Sequence, residues 1–187
     1  MTTATKRRAA FLDRDGVINI DNGYVGYPRD FIFENGAKDA LAQLHAAGYL
    51  LVVVTNQSGI ARGYYNSTDF DAVTAHMCAE LAAAGAPIAR VEHCPHLPID
   101  MQAATSICAC RKPKPGMIVS AAKALDIDLS CSIMIGDKRD DIEAGRAANV
   151  ALCFLIGAGA TLDESRADAA FANLAQCVDA LLHTQIP

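Results

Sequence analysis

The chain has 187 residues, 52% of them hydrophobic, with a formal net charge of −5 and an isoelectric point near 5.4. That length can bury one sizeable core and is too short to argue for two, so a single domain spanning residues 1–187 is expected. The acidic balance offers no general attraction to nucleic acid or to an anionic membrane, neither of which is an expected partner. An anionic ligand must be captured by local charge.

Taken in chain order, Met1 to Arg8 is polar and basic, and only Ala9 to Leu12 separates it from the next charges. That run is too short for the apolar region of a signal peptide, and no later apolar run has the length of a membrane span. A soluble, cytoplasmic chain is expected. Ala9 to Leu12 is the first strand candidate, followed by Leu50 to Thr55, Ile88 to Glu92, Ser132 to Ile135 and Ala151 to Ile156. Helical patterns alternate with them. Ala37 to Ala47 carries Leu41 and Leu44 on one face and stops at Gly48; the next helix, capped by Ser67, carries Phe70, Val73, Met77 and Leu81 and ends before Gly85. Gly116 to Leu125, Asp140 to Ala148 and Leu174 to His183 complete the set. This alternation predicts an α/β fold with a mostly parallel, Rossmann-like sheet and helices on both faces.

Phe11-Leu12-Asp13-Arg14-Asp15-Gly16 sets two carboxylates just beyond a buried strand, where ligands bind in open parallel sheets. Gly136-Asp137-Lys138-Arg139-Asp140-Asp141 follows another apolar strand, so both acidic groups should face one crevice. Converging carboxylates repel each other without a cation, and hard oxygen ligands favour Mg²⁺. Thr55-Asn56-Gln57-Ser58-Gly59 supplies a hydroxyl, amides and backbone N–H groups able to hold a phosphate, while Arg111, Lys112 and Lys138 add cations. Each piece alone has an ordinary explanation as a helix cap, a turn or a solvated surface charge. Their joint order at successive strand ends favours chemistry.

With these four motifs, DRDG, TNQSG, Lys112 and GDKRDD, the sequence resembles the haloacid dehalogenase superfamily of phosphohydrolases over nearly its whole length. The resemblance implies Asp13 as nucleophile and Asp15 as acid and base. It also implies a Mg²⁺ held by Asp13, Asp137 and the backbone carbonyl of Asp15, with Thr55 and Lys112 stabilising the transferring phosphoryl group. Asp141 then either reaches the metal through water or orients Lys138.

Cys94-Pro95-His96 and, after eleven intervening residues, Cys108-Ala109-Cys110 provide three thiolates and an imidazole within one aperiodic loop, 94–110. This set suits a closed, structural Zn²⁺ site that ties the loop. Free thiols beside a surface histidine, or a disulfide, are the alternatives, and a cytoplasmic setting argues against the disulfide. The remaining cysteines, Cys78, Cys131, Cys153 and Cys177, lie in apolar segments and are expected to be buried thiols. His45 and His93 are expected to be packing or surface residues.

DRDGVIN, DNGYV at Asp21 to Val25, VVVTNQSGIARG, CPH, CxCRKPKPGM and GDK further resemble the zinc-containing heptose bisphosphate phosphatase branch, which lacks a large cap domain. That resemblance implies substrate contacts from Asp21, Asn22, Gly23, Tyr24, Asn56, Gln57, Ser58, Arg111 and Lys112, and a small phosphorylated sugar as substrate of a monomeric enzyme. The roughly forty residues between Asp15 and Thr55 also leave no room for a cap. Histidinol-phosphate phosphatase is the rival within the same chemistry. A phosphotransferase and a catalytically inactive zinc-stabilised binding module are the rivals outside it. Arg62 belongs to a matching stretch without an evident role.

Overall fold

The computed structural model describes residues 7–98, 101, 108–158, 160 and 166–183. Six strands, β1 (Ala9–Leu12), β2 (Leu50–Asn56), β3 (Ile88–Cys94), β4 (Ile133–Gly136), β5 (Leu152–Ile156) and β6 (Ala169–Phe171), form one sheet. All pairings are parallel, in the order β3-β2-β1-β4-β5-β6.

Successive side chains of a strand point to opposite faces, and here both faces are buried. Ala10, Leu12, Leu51, Val53, Ile133, Ile135, Phe154 and Ile156 face one layer, made by α1 (Ala37–Ala46), α2 (Ser67–Ala83) and α5 (Leu174–His183). Ala9, Phe11, Val52, Val54, Met134, Cys153 and Leu155 face the other, made by α3 (Gly116–Leu125) and α4 (Arg139–Ala147). Leu41 and Leu44 of α1 and Phe70, Val73, Met77 and Leu81 of α2 are buried, as their spacing predicts. Gly48 and Gly85 follow these helices with φ of 90° and 82°, the left-handed turn that stops a helix where a Cβ would be strained. Among the described residues no helix is long and apolar enough to cross a membrane.

Several expectations need correcting. The cap of α2 is Asn66, whose side chain accepts from the Asp69 N–H while Asp69 reaches back to the Asn66 N–H. Ser67 is the first helical residue instead. Strand β3 runs two residues further than expected, to Cys94. Strand β6 has no counterpart among the expected strands, being three half-buried residues at the sheet edge. Of the four isolated cysteines, Cys153 and Cys177 are buried and Cys78 is partly so, but Cys131 is exposed because it ends a short 3-10 turn outside the core. The interior of the expected zinc loop, residues 99–100 and 102–107, lies outside the described residues.

Candidate active site

Strand order reverses between β1 and β4, the neighbours from which the chain winds outward in both directions. Such a switch point opens a crevice at the carboxyl ends of the strands. Asp13 follows β1 and Asp137 follows β4 there. A cavity of about 280 Å³ at this edge is lined by both acids of the first motif, by Thr55 to Ser58, and by Arg111, Lys112, Lys138 and Asp141.

Lys112 is 2% exposed, and its Nζ lies 2.9 Å from Asp13 Oδ1 and 2.5 Å from Asp141 Oδ1 while donating to the Val54 carbonyl at 2.7 Å. Burial works against its charge, but Asp13 and Asp141 outweigh it and hold the ammonium pKa above its usual value. The other oxygen of Asp141 accepts from the Lys138 main-chain N–H at 3.0 Å. Asp141 therefore positions Lys112 and the start of α4, not the Lys138 side chain. That side chain bridges Asp21 and Asp137 at 3.1 and 3.3 Å. Gly136 has to be glycine here, since a Cβ would lie 2.1 Å from that of Asp141.

Asp13, Asp137 and Asp141 each bring a carboxylate oxygen within 4.8 Å of the others. Burial, reinforced by the charge of Asp13, raises Asp137 to about 7; burial, opposed by Lys112, raises Asp141 to about 6. Asp137 Oδ1 is buried with no hydrogen-bond partner, and Gly16 (φ 84°) leaves the space a Cβ would take 2.5 Å from Asp137 Oδ2. An unsatisfied carboxylate oxygen in a repulsive acidic cluster fits a hard divalent cation. The Asp15 side chain lies outside this cluster and is engaged by Arg14, Asn19 and Gln57, which leaves its main-chain carbonyl for any part in a metal site.

The amide Nε2 of Gln57 donates to Thr55 Oγ1 at 2.7 Å and to Asp15 Oδ2 at 2.9 Å, and its oxygen accepts from the Tyr65 hydroxyl at 2.5 Å. The Tyr65 ring occupies a slot between Gly26 and Gly59, at each of which a Cβ would come within 2.3 Å of it. Asp21, Gly23 and Tyr24 line the cavity from a flap in which Gly23 and Tyr24 are both left-handed, at φ 77° and 54°. Tyr24 stacks edge-on against Tyr64, ring centroids 4.6 Å apart. Asn22, exposed on the same flap, does not line the cavity, nor does Arg62, whose guanidinium sits behind Tyr24 and donates to Met101.

Cys94 ends β3, so the first residue of the cysteine cluster is anchored on the sheet. Its Sγ is 3.4 Å from His96 Nδ1 and 3.7 Å from Cys108 Sγ, and Cys110 Sγ is 3.4 Å from the same nitrogen. Tetrahedral zinc with Zn–S near 2.3 Å and Zn–N near 2.0 Å requires S···S of about 3.8 Å and S···N of about 3.5 Å. The cluster fits that ion. Its backbone also reaches the cavity, because Arg111, which lines it, donates to the His96 carbonyl at 3.1 Å; Lys114, outside the cavity, donates to the Cys108 carbonyl at 2.6 Å.

Residues 109–183 match the family model Hydrolase_like, described as HAD-hydrolase-like. A protein of Pasteurella multocida (strain Pm70) named D-glycero-beta-D-manno-heptose-1,7-bisphosphate 7-phosphatase is 46% identical over 84% of this chain and 86% of its own length. The chain belongs to the haloacid dehalogenase-like hydrolases. An Escherichia coli (strain K12) relative with the same name as the Pasteurella protein is 42% identical over 96% of each chain. Among solved structures, D,D-heptose 1,7-bisphosphate phosphatase from B. bronchiseptica, complexed with magnesium and phosphate, superposes with a TM-score of 0.80 at 33% identity, covering 94% of this chain and 98% of that one.

Within the haloacid dehalogenase-like hydrolases this chain is a phosphomonoesterase without a large cap domain. The sequence reading missed Asn19, Tyr65 and the buried role of Arg14. Nothing in the sequence pattern marks Tyr65, whereas Asn19 closes the family-like stretch DRDGVIN and an arginine between two aspartates is a visible cue to an ion pair.

Proposed function

We propose that the chain hydrolyses the 7-phosphate of D-glycero-D-manno-heptose 1,7-bisphosphate, using Mg²⁺ and a covalent phosphoaspartate on Asp13. The observation that carries this reading is the buried Lys112, paired at once with Asp13 and Asp141 beside the unpartnered Asp137 oxygen. The names and structures of the relatives supply the sugar, and the β form in those names is the anomer proposed here.

Asp13, Asp137 and the main-chain carbonyl of Asp15 would hold the Mg²⁺, which when bound neutralises the acidic cluster and polarises the phosphoryl group. A carboxylate oxygen of Asp13 attacks phosphorus in line as the bond to the sugar oxygen breaks, and Asp15 gives that oxygen its proton. Asp15 then takes a proton from the water that attacks the phosphoaspartate, so that inorganic phosphate leaves and Asp13 is restored. Thr55 and Lys112 stabilise charge on the phosphoryl oxygens through both steps. Asp21, Gly23, Tyr24, Asn56, Gln57, Ser58, Arg111 and Lys138, all lining the cavity, contact substrate, and the whole chain acts as one catalytic unit. Zn²⁺ on Cys94, His96, Cys108 and Cys110 is structural. In this reading a monomer acts in the cytoplasm in the synthesis of nucleotide-activated heptose for envelope polysaccharide, without nucleic-acid or membrane partners.

Phosphate release with Mg²⁺ from the α and β bisphosphates, with histidinol phosphate alongside, tests the reading. A kcat/KM preference for the β bisphosphate supports it, and Asp13→Asn should then abolish turnover with the fold intact. Preference for histidinol phosphate would move the chain to histidine biosynthesis. Phosphorylation of an added alcohol in place of phosphate release would make it a transferase, and no release from any substrate would sink the phosphatase reading.

A further inference from the structure

Arg14 is among the largest side chains that the fold buries fully, at 1% exposure, and it does not line the cavity. Burying a guanidinium is costly, and Nη1 is left without a hydrogen-bond partner, so the partners that Nε and Nη2 do have indicate its purpose. Nε and Nη2 donate to Asp15 Oδ1 at 3.1 and 2.9 Å, and Nη2 also reaches Asp15 Oδ2 at 2.9 Å. Nη2 further donates to the Val25 carbonyl at 2.6 Å, and the guanidinium lies 5.9 Å above the Phe70 ring. Asn19 completes Oδ1 and Gln57 completes Oδ2, both at 2.9 Å.

We propose that Arg14 is a positioning residue: it fixes the carboxylate of Asp15 in one orientation for both proton transfers and ties that orientation to the substrate flap through Val25. This rests on the reading of Asp15 as acid and base. A carboxylate that must meet the sugar oxygen in one step and a water in the next, at the same point in space, cannot be left to rotate. A planar fork with two donors on one face restrains it better than a single ammonium can. Val25 directly follows Tyr24, the flap residue that lines the cavity, so one buried guanidinium joins the flap to the proton-transfer group. A merely structural buried ion pair would have no cause to act through Asp15.

The test compares wild type, Arg14→Lys and Arg14→Met, each also in an Asp15→Asn background. Steady-state kinetics on the bisphosphate are combined with burst kinetics on p-nitrophenyl phosphate, whose leaving group needs no proton. Burst amplitude counts folded sites, and Arg14→Lys keeps the charge should Arg14→Met not fold. Arg14→Lys is expected to lower kcat about 10- to 100-fold at nearly constant KM. It should leave the p-nitrophenol burst in place while slowing the phase that follows, and should have no further effect once Asp15 is Asn. Equal losses in both backgrounds, or wild-type kcat per site with only a lower Tm, would overturn the proposal while leaving the phosphatase reading standing. A wild type inactive on every substrate removes that reading and this inference with it. Independently of turnover, NMR of the wild type should show a slowly exchanging arginine Nε–H resonance that is lost in Arg14→Lys and shifted in Asp15→Asn. Its absence from the wild type overturns the clamp.

Discussion

The side-chain amide of Asn56 and the main chain of Lys112 hydrogen-bond reciprocally: Asn56 Oδ1 accepts from the Lys112 N–H at 3.1 Å and Nδ2 donates to the Lys112 carbonyl at 3.2 Å. The end of β2 thus docks the chain that delivers the buried ammonium to Asp13. Asn56→Ala removes both bonds without touching any charge. We expect kcat to fall about 10- to 100-fold from the displaced ammonium, since small displacements at a reacting centre cost rate steeply. The Tm should drop only modestly. Unchanged kcat in steady-state assays would show that Lys112 is held without this pairing.

Gly16→Ala should act on the acidic cluster directly. Its Cβ would sit 2.5 Å from Asp137 Oδ2 at a φ of 84°, so either the backbone or Asp137 must shift. The expected cost is about 1–3 kcal/mol of stability. Titration of activity with Mg²⁺ should show the half-saturating concentration raised at least tenfold, and an unaltered titration would contradict the placement of Asp137 in the metal site.

The pH dependence of the metal-free protein follows from Asp137. Its carboxyl stands at about 7 in the fold against the usual 3.8, so between about pH 4 and pH 7 the folded state keeps a proton that the unfolded chain has released. Stability in EDTA should therefore fall as pH rises through that window, with Asp141, raised to about 6, acting in the same sense at its acid end, and Asp137→Asn should flatten the profile chiefly between about pH 6 and pH 7. Excess Mg²⁺ should restore stability most at the alkaline end. Thermal denaturation from pH 4.5 to 8, with EDTA or Mg²⁺, reads both effects, and a wild-type profile parallel to that of Asp137→Asn would refute the assignment.

Cys108→Ala removes one of the four grouped residues proposed to hold zinc and loosens the loop whose His96 carbonyl accepts from Arg111. Metal analysis should find about one zinc fewer per chain. KM should rise more than kcat falls, because Arg111 is oriented through His96 whereas Lys112 is held by the sheet. Unchanged metal content would sink the zinc assignment, and unchanged KM would separate the cluster from substrate binding.

The sheet and the position of the site were legible because they rest on patterns that local physics enforces. Buried apolar runs ended at Asp13, Thr55 and Asp137, and parallel strands bring such ends to one edge. Contacts that depend on side-chain reach were not legible. The pairing of Asp141 with Lys112 crosses from α4 to the chain before α3, and spacing alone could not separate it from an interaction with Lys138. Asn66 could have been preferred to Ser67 as the cap, since Asn-Ser-Thr-Asp has the reciprocal spacing of a capping box. Cys131 was misread because its neighbours are apolar, yet a 3-10 turn puts the thiol outward. Strand β6, three residues long with two alanines, carries too little pattern to be seen.

The adjacency of β1 and β4 bears on how the protein comes to exist. Asp13 and Asp137 are separated by most of the chain, and they become neighbours only when β4 adds beside β1. During synthesis, an emerging chain can pair β1 with β2 and β2 with β3, and close the cysteine cluster, while still having no second acidic strand end. Capture of the proposed Mg²⁺ would then be among the later events, after α3 has crossed to the opposite face. A nascent chain in that condition already has Asp13 and Asp15 but cannot yet turn over phosphate esters, so catalytic competence would mark the completion of the sheet.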